Sequence, residues 1–492
     1  MTSEHVTTGR SQGVQTIGRT VLPVRGTPRT SADAIGAVRV PRAAVLGLGV
    51  ASVLVCAALV WFRLTPTARD TLWAEDGRLF LAGAERHGLA VTFAPYAGYL
   101  QVVPRLIADG VVWLSPVSAW ADAMTAASCL VAGGTAVAVF FCSRAVVPSP
   151  ALRAVLAAIT VLLPLGPRDV LGNAANLHSV LLWGLFWLVL ARPATRRGAL
   201  ALGGLGMLAA LSEIQAAFLL PLMAVVVWRR RQSAWLLAGP LVGIAAQLAA
   251  TIASPRAPGR HVSLSALSVA EGYVINGVMP DLAPYSDIGP LLAAGGLLLG
   301  VLVLGAILAL AVVAFRRTDA DRRIALVAAF VLSVLVYAAS VLVNPGTYYA
   351  YATLNRTQLL TVWLTRYGVV PGMLLLAMAV VSASILTESA PESSPESSPE
   401  PSPRSSAGSP GAPRVARQER RRLVGGVAVV GIVAILVAGY HPSWTRRSDG
   451  PTWSTQLPAA TEACRSDPSL RLVELRETID WMVPVQCSRL DR

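Results

Sequence analysis

The sequence predicts an all-α polytopic membrane protein with about eleven transmembrane helices, its N-terminus cytoplasmic and its C-terminus exterior. Three observations carry that expectation. The 492 residues are 54% hydrophobic and only 14% charged, against roughly 25% charge in soluble domains. Apolar runs of about twenty residues recur, each long enough to cross a hydrocarbon layer of roughly 30 Å. The basic residues, all Arg with no Lys anywhere, gather at the ends of those runs, where they orient helices by facing the cytoplasm. The formal net charge of +14 is thus an orientation signal: no nucleic-acid-binding motif accompanies it. The absence of lysine excludes lysine-based chemistry.

Residues 1–42 are rich in Thr, Ser, Gly and Arg without an apolar period and read as a disordered cytoplasmic tail. That polar lead is too long for a cleavable signal peptide, so the run 43–62 is expected to stay as an anchor. The exterior segment that follows carries Trp73-Ala-Glu-Asp-Gly-Arg78 and then Tyr96-Ala-Gly-Tyr-Leu-Gln-Val-Val-Pro-Arg105. Glu75 and Asp76 mark the start of a short helix over 77–87, because carboxylates are favoured at helix N-termini. Val102, Val103, Leu106, Ile107, Gly110, Trp113 and Leu114 share one helical stripe, opposite Gln101, Arg105 and Asp109. This is the pattern of a helix lying along the membrane interface.

The run 120–141 returns to Arg144, and 151–166 and 177–191 form the next pair, joined outside by the turn 167–176. Arg192, Arg196 and Arg197 mark the inner side. The run 199–228 carries Glu213 at its middle and ends in Arg229-Arg230-Arg231. Two short helices with Glu213 at an outer turn keep both Arg clusters inside, so a hairpin is expected. Run 234–253 leads to an exterior loop with Arg256, Arg260, His261, Glu271 and Asp281. Runs 291–315 and 324–343 flank a basic inner loop. A second exterior loop, 344–366, holds Tyr348, Tyr349, Tyr351, Arg356 and Arg366, and 367–386 closes the transmembrane core, 43–386. Residues 387–422 form a disordered linker, first Ser/Pro/Glu-rich and then basic. The last span is 423–441, and 442–492 is an exterior tail. Cys56, Cys129 and Cys142 fall in or beside apolar runs. Eleven crossings place Cys464 and Cys487 in the oxidising exterior, where a disulfide is expected; ten would place them among reduced thiols. The stretch between them reads as a small strand pair stapled by that bridge.

Several residues have both a chemical and a structural reading. Glu75 or Asp76 either caps a helix or takes a proton from an acceptor hydroxyl as general base. Arg105 either pairs with Asp109 one turn on or meets a lipid phosphate. Arg356 and Arg366 stand among tyrosines able to hold a sugar or headgroup, or belong to an interfacial belt. Asn173, Asn176 and His178 form a polar cluster at an outer turn; His178 lacks the partners of a metal site. Glu213 is costly between apolar helices unless it reaches water or pairs, which makes it a candidate cavity residue. Asp122 is expected at the interface. No nucleotide-binding glycine loop, metal-ligand spacing or serine-nucleophile motif is present; no cofactor is identified and a divalent cation is not indicated.

The Trp-Ala-Glu-Asp-Gly and Tyr-Ala-Gly-Tyr-Leu…Val-Pro-Arg segments, set in a first exterior loop ahead of many apolar helices, resemble the GT-C superfamily of integral membrane glycosyltransferases, in an actinobacterial-type branch. The resemblance spans about 43–386. It implies a multi-pass protein of the bacterial plasma membrane that moves a sugar from a polyprenyl-phosphate donor to a glycan or glycolipid acceptor of the cell envelope. It implies Asp76 or Glu75 as base, exterior arginines (Arg105, Arg356, Arg366) on the lipid phosphate, and Glu213, Tyr99, Asn176 and His178 about the substrate. Many relatives carry a large soluble exterior domain, which the short tail here does not match. Two other classes stay open: a transporter or flippase of a lipid-linked glycan, which predicts internal repeats and mid-bilayer charges, and a non-catalytic scaffold, in which the paired acids are dispensable.

Overall fold

Long runs without charge become helices because a helix satisfies its own backbone hydrogen bonds, the only open arrangement that tolerates an apolar surround. The structure, a computed structural model, describes residues 41–256, 262–388, 412–440, 444–478 and 480–490. The expected tail 1–40, the Ser/Pro/Glu stretch 389–411, and Arg260 and His261 lie outside the described residues. Contacts divide the chain into Met1–Gly47 and Leu48–Arg492; of the first unit, the described part is the opening of one helix.

Seven helical segments are long and apolar enough to cross a membrane: Ala43–Phe62, Val117–Ala145, Arg231–Ala253, Leu298–Phe315, Ala320–Val343, Arg366–Thr387 and Gln418–Ala438. They coincide or overlap with helices α1 (Arg42–Phe62), α4 (Trp120–Cys142), α9 (Ala234–Ala253), α12 (Leu298–Phe315), α13 (Ala320–Val343), α14 (Val369–Thr387) and α15 (Ala412–Ala438). Between them stand shorter apolar helices: α5 (Pro150–Leu162) and α6 (Leu177–Leu190), where the pair 151–166 and 177–191 was expected, and α7 (Arg196–Ala210) and α8 (Leu220–Arg229), the two short helices expected on either side of Glu213. At 1.5 Å per residue each covers only about 15–23 Å. Proline ends the first of them: Leu163, before Pro164, is extended at ψ 127°, the conformation that a following proline imposes. The freed carbonyls of Val161 and Leu163 accept from buried Arg63, which also donates to Gly439 O at the end of α15. Helix α6 can be short because it is enclosed by protein; Trp183, Phe186 and Trp187 are all buried. Helices α7 and α8 are separated at Glu213, which is extended and caps the turn Ile214–Leu219 through Gln215 N.

Helix α14 is the central element, buried along its whole span and packed by α12, α13 and α15. Close approach of α7 and α9 depends on glycine: a Cβ on Gly239 would lie 2.1 Å from Gly203 O, the small-residue contact typical of apolar helix pairs.

Most of the remaining elements gather around the segment after α1. Here lie α2 (Ala82–His87) and α3 (Val102–Leu114), whereas α10 (Ala266–Gly277) packs on α13 and α14, and α11 (Tyr285–Gly295) on the short helix Arg356–Leu360. In α3 three residues of the apolar stripe, Leu106, Trp113 and Leu114, are exposed and Val102 is buried, while Arg105 and Gln101 are buried against protein. The tail folds as α16 (Trp453–Ser466) and an antiparallel pair, β1 (Leu472–Glu477) and β2 (Trp481–Gln486), with Leu475 opposite Val483. A disulfide joins Cys464 at the end of α16 to Cys487 after β2.

This tail docks on the segment after α1. Trp453 donates from its backbone to Asp70 O and from its indole to Val117 O, and Thr478 donates to Leu72 O. Trp120 stacks on Trp453 at 6.2 Å. A second apolar cluster results, uniting Trp73, Phe80, Leu81, Trp120, Trp453, Val483 and Val485.

Candidate functional site

Glu75 and Asp76 are adjacent in sequence and opposite in environment. Residues Asp76–Leu81 form a single π-helical turn leading into α2, a wide turn found mostly where a site bends a helix. Asp76 points inward and is 1% exposed. Its carboxylate accepts from Ala174 N at 3.0 Å and Ala175 N at 2.8 Å. The turn offering those amides is knitted by asparagines: Asn173 and Asn176 both donate to Asp169 O at 2.7 Å, and Asn176 N donates to Asn173 Oδ1. Asn176 is therefore a scaffold residue. Burial pushes Asp76 up to about 7, against the pull of the two amides and the buried Arg447 guanidinium. Arg447 itself reaches Thr71 O, Leu171 O and Thr125 Oγ1.

Glu477, at the end of β1, completes this anchor. Its two carboxyl oxygens accept from Gly77 N and Arg78 N, both at 3.1 Å. A Cβ on Gly77 would lie 2.2 Å from Glu477 Oε2, so the glycine of the Glu-Asp-Gly motif makes room for the tail. Burial, together with neighbouring Asp76, raises Glu477 to about 9.

Glu75 faces the other way, into a cavity of about 550 Å³. Its Oε2 has no hydrogen-bond partner among the described residues. Asp169, Arg366 and Arg446 share the cavity, and its walls are aromatic: Trp73, Tyr348, Tyr349, Trp363, Tyr367 and Trp481. Arg446 lies over Trp363 at 4.2 Å. Arg168 also lies over that indole at 4.8 Å, and over Tyr285 at 3.6 Å. No guanidinium nitrogen of Arg168 has a hydrogen-bond partner among the described residues, although the side chain is buried. Burial raises Asp169, opposed by Arg446, Arg168 and Arg366. Three guanidinium groups thus converge near two carboxylates, and a buried cation without a partner favours an incoming anion.

Beyond Arg168 the chemistry changes. A cavity of about 320 Å³ runs from Arg168 and Tyr285 to Ala434, Ile435 and Ala438 of α15. It shares Asp281, Leu282 and Ile435 with a groove of about 340 Å³ between α12, α14 and α15. Asp281, the acid at the junction, is raised to about 8 by burial, which favours its neutral form in this apolar path.

The other expected site residues fall elsewhere. Arg105 does not line the cavity; it packs over the Phe80 ring at 5.5 Å, beside Asp109. Arg356 is exposed at the start of the short helix Arg356–Leu360. Glu213 and His178 pair at 2.5 Å, Nδ1 to Oε2. Neither lines the cavity, nor does Tyr99, whose hydroxyl is raised by burial and by Glu213, with Arg366 opposing. Of the expected arginines only Arg366 lines the cavity. Arg168, Asp169, Trp363, Arg446, Glu477 and Trp481 were not singled out from sequence. Two signals could have found three of them: a charged Arg168-Asp169 pair inside an apolar turn, and Arg446-Arg447 soon after the last span, on the side that the expected topology makes exterior; no local signal marks Trp363, Glu477 or Trp481. Among the described residues no group of three His, Cys, Asp or Glu side chains is placed to hold a metal ion. Compared with protein-family models, curated proteins and solved structures, the chain matches none.

Proposed function

We propose that the protein is a membrane glycosyltransferase of GT-C type that takes its sugar from a polyprenyl-phosphate donor at the outer face of a bacterial plasma membrane. The observation that carries this reading is the succession of three environments: Glu75 with a free oxygen, the cluster Arg168, Arg366 and Arg446, and an apolar groove along α12, α14 and α15. They suit in turn an acceptor hydroxyl, a phosphate and a prenyl chain.

In this mechanism Glu75 takes the proton of the acceptor hydroxyl as its oxygen attacks the anomeric carbon. The bond from that carbon to the phosphate oxygen breaks, and polyprenyl phosphate leaves with the electron pair. Arg446 and Arg366 stabilise the charge gathering on the phosphate, in a site whose aromatic walls exclude water. Aromatic faces such as Trp363 and Trp481 support the sugar rings. Asp76 holds the turn that aims Glu75 and takes no proton from substrate.

The test is to supply purified protein with a panel of polyprenyl-phosphate sugars and measure release of polyprenyl phosphate. Release that disappears in Glu75→Gln supports the proposal. Movement of intact donor across a proteoliposome membrane without cleavage would establish the transporter reading instead.

A further inference from the structure

A second concave site lies at the other end of α6. That helix starts beside the turn that holds Asp76 and runs 14 residues to Leu190, about 20 Å away. There the end of α8 and the starts of α7 and α9 enclose a cavity of about 620 Å³ lined by Arg192, Arg196, Arg230, Arg231 and Trp235.

The local electrostatics of this cavity are unbalanced. Helix α7 has no acid in its first turn and opens instead with Arg196-Arg197, cations at the positive end of a helix dipole, where anions are favoured. Asp321 is the acid at this rim, and it is already shared by Arg192, Arg229 and Arg230. Arg231 makes no ion pair among the described residues, and Arg230 Nη1 is buried without a hydrogen-bond partner. Arg196 lies flat on Trp235 at 3.6 Å, which fixes its guanidinium at the cavity wall. Arginines at helix ends are ordinary orientation signals. Four of them turned into one hollow, against a single shared carboxylate, form a phosphate-binding arrangement.

We propose that this cavity binds the phosphate of an anionic phospholipid headgroup. The membrane source is favoured over a soluble phosphate by position. Two candidate spans, Arg231–Ala253 and Ala320–Val343, begin at its rim, and Trp228 and Trp235 are exposed beside it, as tryptophans are at headgroup depth. The site is independent of the transferase reading, since none of its residues touches the Glu75 cavity.

The test is native mass spectrometry of the purified protein titrated with phosphatidylglycerol, phosphatidylcholine or inorganic phosphate. Phosphatidylglycerol is expected to be retained in preference to phosphatidylcholine. Arg196→Gln with Arg231→Gln should weaken it about thirtyfold, and Arg231→Gln alone about fivefold, each arginine near an anionic surface being worth that factor. Both side chains are exposed and neither pairs with Asp321, so the fold is spared. Arg144→Gln, at another helix end, should leave retention unchanged. Equal retention of both lipids, or equal loss in Arg144→Gln, would overturn the proposal. So would inorganic phosphate binding that is lost in the double variant while phosphatidylglycerol binding is not.

Discussion

Replacing Glu477 by glutamine should stabilise docking of the tail at alkaline pH and destabilise it at acid pH. The side chain is 1% exposed, accepts two backbone amides and is raised from an ordinary 4.5 to about 9. The docked tail therefore holds a proton that the undocked tail releases. Between those two values docking weakens by about 1.4 kcal/mol per pH unit, and the loss levels off above the upper one. Glutamine has no such proton, but its amide nitrogen cannot accept, so one buried N–H is left unpaired at a cost of about 1–3 kcal/mol. At pH 5 the hydrogen-bond loss dominates and the variant docks less firmly. Near pH 6 the two effects, each about 2 kcal/mol, cancel. At pH 8 the relieved proton uptake, about 5 kcal/mol, outweighs the lost bond and the variant docks more firmly by about 2–4 kcal/mol. The assay is the hydrogen-exchange protection factor of the Gly77 and Arg78 amides at the three pH values. A constant ratio between the two proteins would refute the buried-proton argument.

Three further outcomes follow from the same geometry. Cys464→Ser with Cys487→Ser opens a loop with a sequence separation of 23, which should cost the tail about 3.4 kcal/mol; limited proteolysis after residue 444 should rise, and intact resistance would contradict it. Asp76→Asn loses one of the two amide bonds from Ala174 and Ala175, and should lower thermal stability by about 1–3 kcal/mol as read from melting in detergent. Arg446→Gln should weaken donor binding about 10- to 100-fold, the worth of one charge-assisted bond, with melting unchanged; unaltered KM for the donor would remove Arg446 from the phosphate site.

The helices were legible because charge is costly in an apolar run: six of the seven long segments coincide with expected spans to within a few residues, and the seventh, Leu298–Phe315, begins later than its expected start. The short pair α7 and α8 was legible from the cost of Glu213 in an apolar run; that α6 can be short because protein encloses it was not, because a helix enclosed by protein carries the same residues as one facing lipid. Glu75 and Asp76 stood out by type, yet nothing local separates them. Their roles divide only when Ala174 and Ala175, about a hundred positions on, turn their amides to Asp76. Arg105 was left between two readings, a pair with Asp109 and a lipid phosphate, because spacing alone does not say that the polar face of α3 meets protein, where Arg105 and Gln101 are buried. The tail was read as a separate appendage, since no local pattern in 442–492 says that Glu477 would seat on Gly77.

The central claim is that Glu75 acts on substrate and Asp76 on structure. It is tested by sugar transfer from a polyprenyl-phosphate donor in Glu75→Gln and Asp76→Asn, each assayed where its melting curve shows it folded. The account predicts that Glu75→Gln loses about 100- to 10,000-fold in kcat, the usual contribution of a general base, with an unchanged melting temperature. Asp76→Asn should melt earlier but turn over at nearly the normal rate while folded. Full turnover in Glu75→Gln, or loss of turnover in folded Asp76→Asn alone, would contradict it.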